Sequence, residues 1–328
     1  KRERECSDVA WSSSDHSFLD RPSGYAPLHS NMASHTWTKD YSLLLPPSWE
    51  RKVDEWLDED IPSFDYGGFV VGNKKDTATL WCKESGVFAG KPFADRIFER
   101  LHCVITWNVA EGDYIDASKG KVAAATIIGP ACALLQGERT ALNLIARASG
   151  IATRARLVSD KAKAAGWHGA VAGTRKTTPG FRWVEKYALL VGGCDQHRYD
   201  LSSMIMLKDN HVWSSGSITA AVKRALSVGG FALKVEVECQ SEEEADEAIN
   251  AGAHIVMLDN FAPDHLKTAA ASLKKKHGRA IIIEASGGVQ VDNVQDYFDE
   301  NVDVVSMGLL TQSVPHIDFS LKITKLSS

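Results

Sequence analysis

The sequence predicts an α/β protein with two parts, an α+β N-terminal domain of mainly antiparallel sheet and a C-terminal parallel βα barrel. The barrel prediction depends on six short apolar segments after residue 150, which recur at intervals of roughly twenty to thirty-five residues, the length of a βα unit. Polar or small residues follow each segment directly, as at the ligand-binding mouth of a barrel. Before residue 130 the apolar segments are separated by short turns, which is typical of antiparallel pairing. Six such βα units predict a sheet that closes into a barrel of six to eight strands.

Composition and charge restrict the class of protein. The chain has 328 residues, of which 44% are hydrophobic and 24% are charged, with a formal net charge of −5. These values fit an ordinary globular protein with room for two domains. The negative charge argues against a protein that coats nucleic acid, so a bound anion must be held in a local pocket. The apolar runs are short and interrupted, and no membrane span is predicted.

The cysteines and the first residues bear on location. The six cysteines are scattered, with no CxxC pair, which predicts free thiols in a reducing compartment and argues against a zinc site. We therefore expect a cytoplasmic protein, with a nuclear location left open. Residues 1–31 are polar and Ser-rich and lack an apolar core. We expect them to be an expression-derived or disordered leader, because neither a secretory signal nor a mitochondrial presequence has this composition.

Residues 32–149 form the predicted N-terminal domain. Helices are expected at residues 48–58, with Ser48 as N-cap, and at residues 92–101. A third helix is expected at residues 136–149, with Gly150 as its stop. Arg139 falls in the first turn of that helix, where a cation opposes the helix dipole, so an anionic partner would explain it. Strands are expected at residues 69–71, 78–82, 86–90, 104–107 and 122–128.

Residues 150–309 form the predicted barrel domain, and residues 310–328 are expected to pack back on the N-terminal domain. A helix at residues 152–166 precedes the first strand, and Ser241 caps a later helix at residues 241–252. The strands are expected at residues 169–172, 204–207, 233–237, 255–258, 280–283 and 302–305. The polar or small groups that follow them are Thr174-Arg175-Lys176, Lys208-Asp209-Asn210, Glu238, Asp259-Asn260, Glu284-Ala285-Ser286-Gly287-Gly288 and Ser306-Met307-Gly308. Because parallel strands end at one rim, we expect these groups to converge.

Basic residues are concentrated in one stretch, with eight of them between residues 173 and 212. A solvated basic face is the simplest alternative, but such faces are usually helical mixtures of Lys and Glu. Arg175, Lys176, His197 and Arg198, together with Arg139, are candidates for binding a small polyanion. Arginine binds a carboxylate through two parallel hydrogen bonds, so several arginines predict more than one carboxylate on the substrate.

Phosphate and metal sites are predicted at the later strand ends. Glycines and serines after the last two strands, in the segments Ser286 to Gly288 and Ser306 to Gly308, are typical of a phosphate site in such barrels. Glu238 and Asp259 follow successive strands and, with a phosphorylated ligand, predict Mg²⁺ held partly by substrate oxygens. The alternative for Glu238 is a structural ion pair with Lys208, and the two interpretations are compatible.

Short motifs cover every one of these strand ends. They read GERTALN (137–143), AGTRKTTPGFR (172–182), VEKY (184–187), HRYDL (197–201), KDNH (208–211), KVEVEC (234–239), LDN (258–260), EASGG (284–288) and SMG (306–308). In these motifs, and from about residue 43 to residue 321, the chain resembles the quinolinate phosphoribosyltransferase family, close to its eukaryotic members. The resemblance implies an open barrel of about seven strands. It also implies that quinolinate and phosphoribosyl pyrophosphate are converted with Mg²⁺ to nicotinate mononucleotide, pyrophosphate and CO₂, in de novo NAD synthesis.

The resemblance also implies roles for residues. Lys176, Lys208, Glu238 and Asp259 would be catalytic, and Glu238 and Asp259 would hold the metal, largely through substrate. The site would be completed across a homodimer or higher homo-oligomer, with Arg139 reaching into the neighbouring barrel; no nucleic-acid or membrane partner is expected. The implied substrate-binding residues are Arg139, Thr174, Arg175, Lys176, His197, Arg198, Lys208, Glu238, Asp259, Ser286, Gly287, Gly288, Ser306, Met307 and Gly308.

Three other functions stay open at this point. Lys208 follows a strand as the lysine of a Schiff-base aldolase does. A related nicotinate phosphoribosyltransferase would need fewer cations, because its substrate has one carboxylate. A phosphate-binding barrel without catalysis would leave ligand affinity unchanged when Glu238 or Asp259 is replaced by alanine.

Overall fold

The computed structural model describes residues 40–324, so the leader expected at residues 1–31 lies outside the described residues. Short 3₁₀ helices occur at Tyr41–Leu44, Val294–Tyr297 and Gly308–Leu310. The α-helices are α1 (Trp49–Asp60), α2 (Tyr66–Val71), α3 (Lys91–Arg100), α4 (Ala131–Ala164), α5 (Arg182–Gly192), α6 (Asp209–Ser215), α7 (Ile218–Gly229), α8 (Glu242–Ala251) and α9 (Pro263–His277). Within residues 40–324, none of the helices combines the length and the apolar character that crossing a bilayer requires.

An antiparallel sheet forms the core of the N-terminal part. Its strand order is β12-β1-β5-β3, where β1 is Lys75–Cys82, β3 is Val104–Trp107, β5 is Val122–Pro130 and β12 is Phe319–Ile323. A two-stranded ribbon joins β2 (Gly86–Val87) and β4 (Tyr114–Ile115). Side chains alternate along β1, with Ala78, Leu80 and Cys82 buried, as a half-buried strand requires. The last described strand, β12, pairs with β1, so residues 319–323 return to the first sheet.

A parallel sheet of six strands forms the C-terminal part, with the order β6-β11-β10-β9-β8-β7. The strands are β6 (Ala170–Ala172), β7 (Ile205–Leu207), β8 (Val235–Cys239), β9 (Ile255–Asp259), β10 (Ile282–Ser286) and β11 (Val304–Ser306). The predicted fold class is confirmed. The expected seventh strand is reduced to a single parallel bridge between Ala172 and Asp195, so in the described chain the sheet has six strands plus this bridge and is open beside β7.

Helix α4 is longer than the sequence predicted, and two expectations about it were wrong. It runs unbroken over 34 residues from Ala131, so Gly150 lies inside it and does not stop it. The reason is packing, because a Cβ at Gly150 would lie 2.1 Å from the carbonyl oxygen of Pro315. Arg139 therefore lies more than two turns from the N-terminus, and the argument from an unfavourable helix dipole does not apply to it.

The Gly150→Ala variant should lower the free energy of unfolding by about 1–3 kcal/mol, since the added methyl group has no room against Pro315. This loss is expected even though alanine has the higher helix propensity. Gly67→Ala is the matched control, because the nearest atom to its Cβ is 3.6 Å away. Thermal unfolding should show a loss only for Gly150→Ala, and an unchanged Tm would contradict the close packing.

Two smaller expectations were also wrong, and a third was confirmed only in part. Residues 69–71 are helical rather than a strand, because Asp65 caps α2 by accepting a hydrogen bond from the Gly68 backbone N–H at 2.8 Å. The strand expected at residues 86–90 ends at Val87. Ser48 occupies the N-cap position of α1 as predicted, but its side chain makes no capping hydrogen bond. Ser241, by contrast, caps α8 as predicted, since its side chain accepts from the Glu244 N–H.

Candidate active site

Strand register places the polar strand-end residues on one face of the parallel sheet. Side chains alternate along a strand, and residues paired across parallel strands point to the same face. Glu238 pairs with Met257, Met257 with Glu284, and Asp259 with Ser286. Glu238 and Asp259 therefore share a face with Glu284 and Ser286. The opposite face, with Val237, Cys239 and Leu258 fully buried, packs under the helices.

A contact across the sheet shows that this shared face is the inside of a rolled sheet. His197 lies two residues after Asp195, and its Nε2 is 3.0 Å from Glu284 Oε2 on β10. Along the sheet these positions are three strand spacings apart, about 14 Å if the sheet were flat. The other ring nitrogen of His197, Nδ1, accepts a hydrogen bond from the Arg198 backbone N–H at 2.7 Å. The segment that carries His197 and Arg198 thus lies over the barrel mouth.

The carboxylates of the mouth have defined partners. Glu238, whose side chain is 14% exposed, forms an ion pair with Lys208, as the sequence analysis considered. Asp259 accepts hydrogen bonds from Asn260 Nδ2 at 2.6 Å and from Gln240 Nε2 at 3.4 Å. The two acidic groups therefore lie on adjacent strands and the same face, and Glu238 is already paired with a cation.

The loops after β10 and β11 lie next to each other. Ser306 Oγ donates to Ser286 Oγ at 3.0 Å. Gly287 and Gly288 both have left-handed backbone conformations, with φ of 84° and 64°. A side chain at Gly287 would also collide with Asn260, whose Oδ1 would lie 2.3 Å from its Cβ. Only glycine suits this turn, and its backbone is left accessible to a ligand.

Lys176 reaches the loop after β11. A Cβ at Gly308 would lie 2.9 Å from Lys176 Cδ and 3.5 Å from its Nζ. The backbone of Lys176 is fixed by Thr311, whose Oγ1 donates to the Lys176 carbonyl at 2.6 Å. Thr174 turns the chain beforehand, as its Oγ1 accepts from the Lys176 N–H at 3.0 Å. The cation after β6 and the glycine after β11 therefore belong to one site.

Two arginines lie close together at the same mouth. Burial, and next the neighbouring Arg175, lowers the pKa of Arg198 from its usual value. Arg175 Nε is buried and has no hydrogen-bond partner among residues 40–324. A buried donor without a partner is costly and rare in native proteins. A pair of partly buried guanidinium groups with an unused donor has the chemistry that favours an anionic ligand.

Two predicted site residues lie differently from the others. Met307 is 1% exposed, and its backbone N–H donates to the Ala172 carbonyl at 2.9 Å, which leaves it no donor for a phosphate. Arg139 is exposed on α4 and makes no hydrogen bond or ion pair with any residue in the described range 40–324. Within one chain, Arg139 therefore makes no hydrogen bond or ion pair with the described residues of the mouth.

A buried acidic group next to this site was missed by the sequence analysis. Glu236 is fully buried on β8, and neither of its oxygens has a hydrogen-bond partner within residues 40–324. Ligand atoms of Glu236, Glu284 and His197 lie within 4.8 Å of one another. Burial, and next the Glu284 carboxylate, raises the pKa of Glu236 well above its usual value. Glu236, Glu284 and His197 therefore form a largely buried acidic cluster beside the mouth.

Buried charges behind the mouth were missed as well. Arg147 on α4 pairs with the fully buried Glu185 on α5 at 2.8 Å. Glu185 also accepts from Thr178 N at 3.0 Å, and Arg147 donates to the Thr311 carbonyl. These bonds fix the loops that carry Lys176 and Gly308. The sequence pattern that could have indicated these buried charges is the motif VEKY, in which Glu185 and Lys186 interrupt an otherwise apolar helix.

A second concave region lies in the N-terminal part and has another character. Its volume is about 560 Å³, and it lies between α3 and β3, where its lining includes Lys91, Asp95 and Trp107. Lys91 pairs with Asp95 at 2.7 Å, and Asp95 accepts from Trp107 Nε1 at 2.6 Å. Its polar groups thus bind one another, and none of the barrel strand-end residues lines it.

Comparison with known proteins identifies the family. Residues 65–149 match the family model for the N-terminal domain of quinolinate phosphoribosyl transferase, and residues 151–322 match that for its C-terminal domain. The chain belongs to the quinolinate phosphoribosyltransferase family. The two family domains together cover every candidate residue of the barrel mouth as well as Arg139.

Individual members of the quinolinate phosphoribosyltransferase family are similar over most of their length. The chain is 50% identical to a nicotinate-nucleotide pyrophosphorylase (carboxylating) of Dictyostelium discoideum over 299 residues, covering 87% of this chain and 99% of the relative. It is 50% identical to that of Homo sapiens over 283 residues, covering 86% and 94%. A crystal structure of NadC from Streptococcus pyogenes is 34% identical, with a TM-score of 0.77 and coverage of 86% and 99%.

A more distant structure bears on one of the open alternatives. Human nicotinic acid phosphoribosyltransferase superposes with a TM-score of 0.51 at 13% identity. This likeness shows a common fold alone. The sequence similarity therefore favours the quinolinate family over the nicotinate-using transferase.

Proposed function

We propose that this protein transfers the phosphoribosyl group of phosphoribosyl pyrophosphate to quinolinate, with decarboxylation, to give nicotinate mononucleotide, pyrophosphate and CO₂. The observation that carries the proposal is the convergence of Arg175, Arg198 and Lys176 with Glu238 and Asp259 at one barrel mouth. Cations there suit a dicarboxylate, and the acidic groups suit a sugar diphosphate with its metal. The family membership supports the same reaction.

Quinolinate has two adjacent carboxylates on a pyridine ring, and the cations would bind them. The unused Nε of Arg175 is free to donate to one carboxylate oxygen, in the two-pronged geometry that guanidinium groups favour. Arg198 and Lys176 would neutralise the remaining charge. His197 would act mainly by holding Arg198, because both of its ring nitrogens already engage protein groups.

Phosphoribosyl pyrophosphate would lie on the opposite side of the mouth. Lys208, Glu238 and Asp259 would bind its ribose hydroxyls and pyrophosphate, and the glycine loops after β10 and β11 would hold its 5′-phosphate. The expected Mg²⁺ prefers carboxylate and phosphate oxygens, and Glu238 and Asp259 supply two carboxylates on one face. When bound, Mg²⁺ would neutralise charge on the pyrophosphate.

The residues would act by positioning and by electrostatic stabilisation. The lone pair of the pyridine nitrogen forms a bond to the anomeric carbon, and the bond to pyrophosphate breaks with its electron pair on the leaving oxygen. Lys208 would stabilise that developing charge. The pyridinium nitrogen then accepts electron density as the bond to the adjacent carboxylate breaks, CO₂ leaves, and a proton replaces it on the ring. No covalent nucleophile is required.

The direct test is incubation with quinolinate, phosphoribosyl pyrophosphate and Mg²⁺. We expect nicotinate mononucleotide and CO₂ in equal amounts, and no product when nicotinate replaces quinolinate. Product from nicotinate alone would favour the nicotinate-using transferase. For the aldolase alternative, borohydride with a keto substrate should leave no adduct on Lys208, because its ammonium is held in an ion pair with Glu238.

We also propose that the site is shared between two copies of the chain. Arg139 is exposed on α4, and the adjacent α2 is tied to α4 through Asp65 and Gln136 at 3.0 Å. Next to this connection the chain exposes the apolar side chains of Phe64, Tyr66, Phe69 and Val70, each 78–88% accessible. Such a cluster is typical of a protein interface. In the proposed assembly a second copy covers this cluster, and its barrel mouth lies near Arg139.

A mixing experiment tests the shared site. Arg139→Ala and Lys208→Ala subunits should each be inactive alone, and the mixture should recover about a quarter of the wild-type activity after random exchange into dimers. Lys208→Ala mixed with Asp259→Ala is the control and should recover nothing, since both residues belong to the same mouth. Proven subunit exchange without recovery in the first mixture would contradict the proposal.

A further inference from the structure

Lys186 is a buried cation directly beneath the segment that carries His197 and Arg198. It lies on α5 with 2% of its surface exposed. Its Nζ donates to the Gln196 carbonyl and, at 3.2 Å, to the Arg198 carbonyl. A buried ammonium group is costly unless an anion compensates it. Carbonyl oxygens alone are incomplete compensation, so the position of Lys186 calls for an explanation.

The charges around Lys186 are mostly of the same sign. Arg182 precedes it by one helical turn, Arg175 approaches from the loop after β6, and Arg198 lies in the segment above. Asp195 is the acidic group facing it, and one Asp195 oxygen accepts from the His197 N–H at 2.6 Å. Burial, and next Arg182, lowers the pKa of Lys186 to about 8.

The remaining acidic groups nearby are bound to other partners. Glu185, the preceding residue on α5, accepts hydrogen bonds from Arg147 and Thr178. Glu284 and Glu236 act on Arg198, where their negative charges favour the protonated guanidinium. They are not among the groups that shift the pKa of Lys186. The cluster of Arg175, Arg182, Lys186 and Arg198 therefore carries excess positive charge.

Another buried lysine shows how such a group is usually stabilised. Lys274 is 7% exposed, and its Nζ donates to the Ile281 carbonyl at 2.6 Å and pairs with Asp303 at 2.7 Å. Lys274 thus has both a carbonyl and a carboxylate. Lys186 has two carbonyl partners but no ion pair with a carboxylate among the described residues. Its positive charge lies beneath the segment that carries Arg198, at the candidate dicarboxylate site.

We propose that Lys186 is a positioning and specificity-determining residue for the dianionic substrate, holding the Arg198 segment in place and supplying buried positive charge that favours two carboxylates over one. This inference rests on the proposed function. Coulombic attraction scales with the charge of the ligand, so a buried cation favours a dianion about twice as strongly as a monoanion. Lys186 does not touch the substrate and acts through the backbone of Arg198 and through its field.

The variant Lys186→Met tests the proposal, because methionine keeps most of the length of the side chain and removes the charge. The KM for quinolinate should rise about tenfold or more, whereas the KM for phosphoribosyl pyrophosphate should stay within about threefold. Inhibition by nicotinate, which has one carboxylate, should weaken less than quinolinate binding does. Lys274→Met is the control and should change the Tm without changing either KM.

The pH dependence of the wild type is an independent readout. Protonated Lys186 binds the dianion better, so the attraction is fully present below pH 8 and is lost as the pH rises through about 8. The KM for quinolinate should therefore rise from neutral to alkaline pH in the wild type and change less in Lys186→Met. Calorimetry of quinolinate binding near pH 8, in buffers of different ionisation enthalpy, should show proton uptake. This measurement needs no variant and decides the case if Lys186→Met does not fold.

Results that contradict the role of Lys186 can be distinguished from results that contradict the proposed function. An unchanged KM for quinolinate in Lys186→Met, an equal rise in both KM values, or quinolinate binding without proton uptake would each overturn the role of Lys186. In all three cases the wild type would still form product, and the proposed function would stand. A wild type that forms no nicotinate mononucleotide would remove both.

Discussion

The Arg175→Met variant should raise the KM for quinolinate about a hundredfold or more, because it removes a charged group whose buried donor has no other partner. The KM for phosphoribosyl pyrophosphate should change little. Arg175→Lys should recover only part of the loss, since lysine keeps the charge but lacks the planar guanidinium. Steady-state kinetics with each substrate varied in turn separates the two effects.

Arg279→Met is the matched control for that variant. Arg279 makes one long hydrogen bond, 3.5 Å, to the Glu300 carbonyl and is exposed. Its replacement alters the net charge by the same amount and should leave both KM values unchanged. If Arg175→Met binds quinolinate as the wild type does, the guanidinium pair is not the dicarboxylate site.

The Glu238→Gln variant should lower kcat/KM for phosphoribosyl pyrophosphate about a hundredfold, because Gln keeps the shape but removes the charge that faces the ribose and metal. Quinolinate binding, measured alone by calorimetry, should be retained. Glu243→Gln, an exposed position in the first turn of α8, is the control and should leave turnover unchanged.

The same variant separates the two interpretations of the Lys208–Glu238 pair. A purely structural ion pair would give a lower Tm with an unchanged kcat/KM for phosphoribosyl pyrophosphate. A functional pair gives the kinetic loss with little change in Tm, because Lys208 at 43% side-chain exposure remains solvated when its partner loses its charge.

The barrel mouth could be predicted from sequence because it depends on a local rule. Each buried strand reads as an apolar run, and the residue after the run must lie at the carboxyl end of the sheet. Glu238, Asp259 and Ser286 therefore fell at the right edge, and strand register then placed them on one face. Both acidic residues lie within strands rather than after them, because Glu238 is the penultimate residue of β8 and Asp259 is the last residue of β9.

The failures share a physical cause, which is tertiary contact. Gly150 looks like a helix stop, but its missing side chain makes room for Pro315. Arg139 was placed in a first turn because the sequence before it, rich in small residues, gave no sign that α4 begins at Ala131. Met307 sits between two candidate phosphate ligands, yet its side chain and its N–H are used by the core and the sheet.

Nothing in the sequence pattern assigned a role to the buried charges, because they lie inside or directly after apolar runs. Glu236 and Glu284 occupy inward positions of β8 and β10, and Lys186 lies in the middle of α5. Periodicity treats such residues as interruptions of a hydrophobic pattern. Buried charged groups must find partners in the interior, so these residues indicate that charged side chains lie beneath the site.

Arg175 and Lys176 after β6, and Arg198 after the Asp195 bridge, are proposed to bind the dicarboxylate at the same mouth as Glu238 and Asp259. A crystal structure of the protein with quinolinate tests it directly. We predict a quinolinate carboxylate within hydrogen-bond distance of Arg175 Nε and close to Arg198. Quinolinate bound instead in the concave region between α3 and β3, with Arg175 Nε still without a partner, would contradict it.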